Sequence, residues 1–393
     1  MLTLAEYDMS PERGFLCRYD ADDVRLGENL AVIKDVALSL PQILPTGRVR
    51  QLLMERLPLI HLPVTRMSDA EVRTCMVHYA FMVQAFVWGD PRPPRMLPEN
   101  LAIPIVVLAD HLGQQPLLPY SSYVLDNWGL IDKNRPVDLD NIYMIQNFLG
   151  GQDENWFVLI HVAIEAAAGK SLAAFGPIIE ATEAGDVATT RHLLKEIAGT
   201  WTTINALFDQ MPERCDPYIY FARVRPFIHG WRDNPALPEG LIYEGVSRFG
   251  CQAQAFRGQT GSQSSIVPAM DALMGVGHAS DPLREYLDQL HIYRPPAHRR
   301  FIEDTREASR LRSFVMNCRE PGLIAAYNAI IRATADFRTR HLEYAASYIN
   351  KQQRAAAGND TELGTGGTPF MRYLKKHRDE TAARLLSAAS EVG

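Results

Sequence analysis

The strongest constraint on the fold is an apolar pattern at helical spacing, bounded by residues that start and stop helices. The clearest case begins at Ser68-Asp69-Ala70-Glu71, where the serine can cap a helix and the glutamate can reach back to the cap. Apolar residues recur at helical spacing as far as Phe86, and the run stops at Gly89, before the proline-rich DPRPPR. This pattern predicts a helix that ends at Gly89.

Similar patterns cover most of the chain, which contains no internal repeat and no low-complexity block. The only strand signals are weak, in 24–33 and around 54–64. We therefore predict an all-α fold. Besides the helix described above, we expect helices over 23–40, 101–112, 139–149, 153–169, 172–183, 187–211, 216–229, 264–276, 281–292, 295–316, 321–355 and 368–388.

Two breaks suggest a division into domains. A proline-rich run covers Asp90–Pro98, and a second break covers Gly113–Pro119. We predict a smaller N-terminal domain over 1–114 and a larger helical domain over 115–393. The glycine-rich stretch Ala355–Gly367 reads as a loop, for which composition favours a plain connector over a lid above a site.

Composition excludes several functional classes. The 393 residues include 40 basic and 46 acidic side chains, and the net charge of −6 argues against nucleic-acid binding as the main purpose. No run approaches the roughly 18 apolar residues of a membrane span, and the acidic start does not resemble a signal peptide. The five scattered cysteines form no CxxC pair, which excludes zinc ribbons and thioredoxin-like motifs and fits a reducing cytoplasm.

A histidine lies deep in the predicted helix 321–355. His341 shares one helical face with Phe337 and Tyr348, and Arg338 shares part of that face. Spacing alone favours a hydrogen-bonded core histidine beside an arginine that reaches solvent. The functional alternative is a proximal haem ligand, with the arginine holding an acidic group of the cofactor.

A second histidine lies in the strongly apolar helix predicted over 153–169. His161 shares a face with Phe157, Ile164 and Ala168, where a buried imidazole needs hydrogen-bond partners. The pattern again favours a core histidine. The alternative is a polar group that faces a pocket and makes one hydrogen bond there.

Two further stretches could bind a ligand. Residues 217–235 combine aromatic side chains with Arg223 and Arg225, which suits a flat aromatic ligand bearing a carboxylate, although an ordinary amphipathic helix is slightly favoured. Residues 256–271 are rich in small and hydroxyl side chains before a helix, but they match neither a Walker A loop nor a convincing GxGxxG motif. The sequence also lacks HExxH, GxSxG and EF-hand motifs.

Taken together, several motifs closely resemble the indoleamine 2,3-dioxygenase family. No single motif is specific for this family, but the occurrence of all of them in the same order from about residue 95 to the C-terminus is highly specific. The motifs are MLPENLAIP (96–104), YVLDNW (123–128), IEAAAGK (164–170), GWxxNPxLxxGLxYEG (230–245), GSQSS (261–265), RPPAHRRF (294–301), RxxHL (338–342) and GTGGT (364–368).

The resemblance implies an all-helical protein whose small domain caps a large domain enclosing haem b. It implies a cytoplasmic enzyme that uses O2, L-tryptophan or a related indole, and an electron donor that keeps the iron ferrous. His341 matches the proximal iron ligand, and Arg338 matches an arginine near a haem propionate that pairs with an aspartate, here Asp271. The remaining matches are Gln259, Thr260 and Gly261 beside the haem, Tyr120, Phe157, Tyr220 and Phe221 around the substrate, Arg225 at the substrate carboxylate and Thr365 on a closing loop.

Two positions depart from the better-known members. At His161 the animal enzymes of this family have serine, whereas the related tryptophan 2,3-dioxygenases have a histidine that bonds the indole N–H. We therefore expect His161 to bond the indole nitrogen without being an obligatory base. Gln259 replaces a glycine near the haem edge. The alternatives to tryptophan dioxygenation are another reaction on a substituted tryptophan in secondary metabolism, and a non-catalytic haem or ligand sensor.

Overall fold

The computed structural model describes residues 2–277, 282–352, 360–367 and 369–387. Most of these residues are helical, so the all-α prediction is confirmed. The helices are α1 (Ala31–Leu38), α2 (Leu40–Ile43), α3 (Val49–Arg56), α4 (Asp69–Trp88), α5 (Glu99–Leu112), α6 (Gln152–Ala173), α7 (Phe175–Glu183), α8 (Val187–Asp209), α9 (Met211–Arg214), α10 (Pro217–Ile219), α11 (Ile266–Met274), α12 (Pro282–His291), α13 (Pro296–Ala308), α14 (Leu311–Cys318), α15 (Pro321–Ala345) and α16 (Phe370–Ala382).

Five short strands supplement the helices in the described chain. A parallel pair joins β1 (Met96–Leu97) to β4 (Leu241–Tyr243), which also pairs antiparallel with β5 (Ala253–Gln254). An antiparallel hairpin joins β2 (Trp128–Leu130) to β3 (Ile142–Met144), with Gly129 opposite Tyr143. None of these strands exceeds three residues, so the sheets connect helices and do not form a separate layer.

Three local predictions are wrong. The expected helix 139–149 contains β3, because this segment pairs with β2, a partner that local periodicity cannot reveal. The strand signal in 24–33 falls on a 3-10 turn and the start of α1. The strand signal around 54–64 falls on the end of α3 and on irregular chain after it. Residues 355–359 of the predicted loop lie outside the described residues.

The long helices form the frame around the centre of the molecule. α15 packs most extensively against α8 and α16, and α6 packs against α8. α4 is buried along almost its whole length, and its start has the predicted capping box: Glu71 N–H donates to Ser68 Oγ (3.3 Å), and Ser68 N–H donates to Glu71 Oε2 (2.9 Å). The stretch Gln152–Glu183 is apolar enough to span a membrane, but 72% of its most apolar window is buried, as in a core helix of a soluble protein.

The N-terminal third is tied to the rest by a buried ion pair. Arg73 on α4 pairs with the buried Asp126 (2.9 Å), and it also pairs with Asp8 of the same third (2.9 Å). A breakage of such a buried pair leaves an uncompensated charge, which is strongly destabilising. β1 and β4 also pair across residue 115. The two domains, 1–114 and 115–393, stay a prediction.

Candidate functional site

Two adjoining cavities lie at the centre of the helical frame. The larger has a volume of about 630 Å³ and lies among α6, α8, α11, α12, α13, α15 and α16. The smaller, about 140 Å³, lies beside it under residues 364 and 365. Both are lined by His161, Phe208 and His341. Together they offer the concave, largely apolar space that a cofactor and a small substrate need.

His341 reaches this space from α15. Its imidazole lies near Phe208, with ring centroids 6.4 Å apart. Desolvation lowers the pKa of His341 to about 4, and the neighbouring His161 and Arg338 add to this effect. The imidazole is therefore neutral at physiological pH and has a lone pair that can bind a metal.

Arg338 lies three residues before His341 and lines the larger cavity together with Asp271 of α11. Its Nη2 is 2.6 Å from Asp271 Oδ2, its Nη1 is 3.2 Å from Asp271 Oδ1, and it also donates to Thr381. The arginine is 7% exposed and the aspartate 8%. This two-point contact fixes the guanidinium at the cavity edge, where it can meet an acidic group of a ligand.

His161 faces the same space from α6. Its Nδ1 lies 2.6 Å from the carbonyl oxygen of Phe157, which can only accept a hydrogen bond. Nδ1 therefore carries the proton, and Nε2 is left as an acceptor with no hydrogen-bond partner among the described residues. Desolvation lowers the pKa of His161, so this neutral form persists at physiological pH.

Aromatic side chains form one wall of the smaller cavity. The ring centroid of Phe157 lies 4.6 Å from that of Tyr220 and 4.8 Å from that of His161. The ring centroids of Tyr220 and Tyr348 are 5.8 Å apart. Tyr220 begins a π-helical turn, Tyr220–Val224, and such turns are frequent at functional sites. The wall suits a flat aromatic ligand.

Residues 259–261 and Thr365 form another part of the smaller cavity. Thr365 Oγ1 donates to the carbonyl oxygen of Gln259 (2.5 Å), and the Gly230 amide donates to the carbonyl oxygen of Thr365 (3.2 Å). The predicted neighbours Gln259, Thr260 and Gly261 thus lie directly beneath the predicted closing residue.

Two predicted site residues line neither cavity, and a third lies in the larger one. Phe221 and Arg225 line neither cavity, and Arg225 is fully buried, donating from Nη2 to the carbonyl oxygen of Leu363 (2.6 Å). Tyr120 lines the larger cavity, where its hydroxyl donates to Glu165 (2.8 Å). The structure thus connects Arg225 to the cavity through the segment that bears Thr365.

Comparison with known proteins identifies the family. A family model described as "Indoleamine 2,3-dioxygenase" matches residues 3–384. The chain belongs to the indoleamine 2,3-dioxygenase family. This confirms the resemblance seen in the ordered motifs.

Curated relatives match over nearly the whole chain. "Indoleamine 2,3-dioxygenase 2" of Homo sapiens is 30% identical over 401 residues, covering 98% of this chain and 96% of the relative. "Indoleamine 2,3-dioxygenase 1" of Rattus norvegicus is 31% identical with the same coverage, and "Indoleamine 2,3-dioxygenase" of Saccharomyces cerevisiae is 29% identical, covering 97% and 93%. Members of the indoleamine 2,3-dioxygenase family are haem-dependent oxidoreductases that incorporate oxygen, so the predicted enzyme class is confirmed.

Sequence reasoning missed residues that line the two cavities. Glu165 follows His161 by one helical turn, and a carboxylate in so apolar a helix was the available signal. It accepts hydrogen bonds from Tyr120 and from Ser264 (2.7 Å), while its Oε2 has no partner among the described residues. His377 of α16 also lines both cavities, but its polar helix gave no such signal.

Replacement of Glu165 by glutamine is expected to flatten the pH dependence of stability. Burial raises the pKa of Glu165 from 4.5 to about 7. The folded state therefore holds a proton that the unfolded state releases, so the free energy of unfolding falls as pH rises from about 4.5 to 7, by about 3 kcal/mol at most. Urea unfolding of cofactor-free protein at pH 5 and pH 8 measures this loss.

The matched control is Glu180→Gln, because Glu180 is an exposed residue of α7. We expect the control to keep the full pH dependence of wild-type protein and Glu165→Gln to lose most of it. An equal decline in wild type and Glu165→Gln would contradict the assignment of the raised pKa to this carboxyl group.

Proposed function

We propose that the protein is a haem b-dependent dioxygenase that inserts O2 across the indole C2–C3 bond of L-tryptophan or a close indole derivative. The product from tryptophan is N-formylkynurenine. The observation that supports this most is the pair of neutral histidines, His341 and His161, that line the same cavity from two helices. One imidazole suits an iron, and the other suits an indole N–H.

The residues around the larger cavity suit a haem. His341 is the proposed iron ligand, since its neutral imidazole is available. Arg338, held by Asp271, is proposed to meet a propionate. Residues 259–261 line the smaller cavity, and Gly261 lines both, so these residues are proposed to lie against the porphyrin edge. When bound, the haem supplies the activation of O2, a chemistry that side chains lack.

The remaining residues are proposed to bind and orient the substrate. Phe157 and Tyr220 bury the indole faces, and Phe221, the next residue in the π-helical turn, is proposed to belong to the same aromatic site. Arg225 takes the carboxylate, because its guanidinium stays charged at neutral pH even though burial lowers its pKa to about 10. Thr365 closes over the substrate and excludes water. Such positioning of the reacting bond accelerates reaction by several orders of magnitude.

His161 is proposed to accept a hydrogen bond from the indole N–H through Nε2. Its tautomer supports this role, since Phe157 holds the proton at Nδ1. Tyr120 is proposed to act indirectly. Its hydroxyl orients Glu165, which lies one helical turn after His161 on α6. In this role His161 orients the indole ring, and it does not need to remove the proton from the indole nitrogen.

His161→Ala is expected to raise KM for tryptophan by roughly two- to twelvefold, the range for one neutral hydrogen bond of about 0.5–1.5 kcal/mol. The internal control is 1-methyltryptophan, which has no indole N–H. Wild-type enzyme should prefer tryptophan, and the variant should lose much of that preference. Steady-state kinetics with both substrates measure it, and unchanged affinity and turnover with tryptophan would remove this role from His161.

The overall proposal is tested by anaerobic reduction of haem-loaded protein, addition of O2 and L-tryptophan, and mass spectrometry of the product. A gain of two oxygen atoms, both labelled when ¹⁸O2 is used, is expected. A product of another mass would favour a different reaction on an indole substrate. No turnover of any substituted indole, despite a normal ferrous–CO spectrum, would favour a sensor. We further propose a cytoplasmic enzyme supplied with electrons by a separate donor.

A further inference from the structure

We propose that Arg257 is a positioning residue that holds the cover segment, residues 360–367, in its closed position and so places Thr365 over the substrate. The part that concerns substrate rests on the function proposed above. The contact itself stands on the geometry of the described residues alone.

Arg257 is buried, and its guanidinium reaches the cover segment directly. Nη1 donates to the carbonyl oxygen of Gly366 at 2.5 Å. Nε and Nη2 both donate to Gln289 Oε1, at 3.1 and 2.7 Å. Asp233 Oδ2 lies 3.3 Å from Nη1, and the Tyr286 ring centroid lies 4.9 Å from Cζ. The side chain is therefore fixed before the cover segment meets it, so little entropy is lost on contact.

The cover segment fits this position closely. A Cβ atom at Gly366 would lie 2.5 Å from the Tyr286 hydroxyl oxygen. At Gly367, where φ is +84°, a Cβ atom would lie 2.6 Å from the carbonyl oxygen of Arg232. At Gly367 only glycine allows this approach, because φ is positive and the close atom belongs to the backbone. The GTGG sequence therefore suits a docked surface and not only a flexible connector.

Arg257 also stands next to the residues that Thr365 contacts. The chain continues from Arg257 through Gly258 to Gln259, whose carbonyl oxygen accepts the Thr365 hydroxyl. One short stretch thus holds Gly366 through a side chain and Thr365 through a backbone carbonyl. Arg225 holds Leu363 on the other side. Loss of the Arg257 contact frees the end of the segment closest to Thr365.

The test compares Arg257→Met and Arg257→Lys with wild-type holoenzyme. We expect amide exchange at Gly230, whose N–H bonds to the Thr365 carbonyl, and at Gly367 to accelerate about tenfold in Arg257→Met. KM for tryptophan should rise about tenfold while kcat changes less than threefold. Arg257→Lys should recover part of both effects, because lysine keeps the charge and one donor.

The matched control is Arg248→Met. Arg248 also pairs with a carboxylate (Asp110, 2.6 Å) and covers an aromatic ring (Phe249), but neither of these contacts lines a cavity. Gln289→Ala, which removes the acceptor that orients Arg257, provides a milder second variant and should accelerate exchange in the same direction. Unchanged amide exchange in Arg257→Met and in Gln289→Ala overturns the proposal. So does a fall in kcat and haem content with KM unaltered, which indicates a merely structural role. If wild-type protein has no dioxygenase activity, the proposed function fails, whereas the exchange data still decide whether Arg257 holds the segment.

Discussion

His341→Ala is expected to abolish stable haem binding, reducing haem occupancy from near one per chain to less than about a tenth. The imidazole is the proposed iron ligand, and its neutral state at physiological pH makes it available to iron. Alanine removes that bond and leaves a space on the same side of the cavity. Haem titration followed by absorption spectroscopy measures the loss, and dioxygenase activity should disappear with it.

The matched control is His192→Ala, since His192 is a surface residue of α8 whose side chain is 71% exposed. Free imidazole added to His341→Ala should enter the vacated space and restore part of the ferric spectrum. Unfolding by urea in the absence of haem separates loss of the ligand from loss of the fold. Normal haem content and activity in His341→Ala would refute the assignment of the proximal ligand.

Arg225→Leu is expected to lower kcat/KM for tryptophan by roughly a hundredfold, equivalent to about 3 kcal/mol for a lost charge-assisted contact. Two roles are open to this buried arginine, because its guanidinium is proposed to bind the substrate carboxylate and also donates to Leu363 of the cover segment. Tryptamine, which lacks the carboxylate, separates them. If Arg225 binds the carboxylate, the substitution should affect tryptophan far more than tryptamine.

Arg223→Leu is the matched control, because Arg223 is exposed two residues earlier in the chain. It should leave both substrates nearly unaffected. An equal loss with tryptophan and tryptamine in Arg225→Leu would assign the arginine to the cover segment alone. If Arg225→Leu showed wild-type kinetics with both tryptophan and tryptamine, Arg225 would have no role in the site.

The helical fold and its central histidines were accessible from sequence because both depend on local periodicity. His161 and His341 lie at the spacing that directs a side chain into a helical core, and the structure brings both to one cavity. What spacing could not decide was whether a buried imidazole faces protein or an open space. The order of the family motifs added the functional interpretation.

Long-range contacts were not accessible from the sequence. β3 was predicted as helix because its pairing with β2 leaves no signal in the apolar periodicity of residues 139–149. The position of Arg225 behind the cavity depends on the return of the chain at Leu363, 138 residues later. Gln289 and Gly366 approach Arg257 by a similar return, so the stretch before GQTG gave no sign of that contact.

With haem bound as proposed, the central cavity would also link the lifetime of the polypeptide to cofactor supply. About 630 Å³ of space among seven helices lacks the packing contacts that a filled core provides. A ligand that binds only the folded chain adds RT ln(1 + [L]/Kd) to the free energy of unfolding, or about 2.7 kcal/mol at a hundredfold excess over Kd. Chains made during haem shortage would thus spend more time unfolded and be removed faster by proteases, so haem availability would set the amount of enzyme as well as its activity.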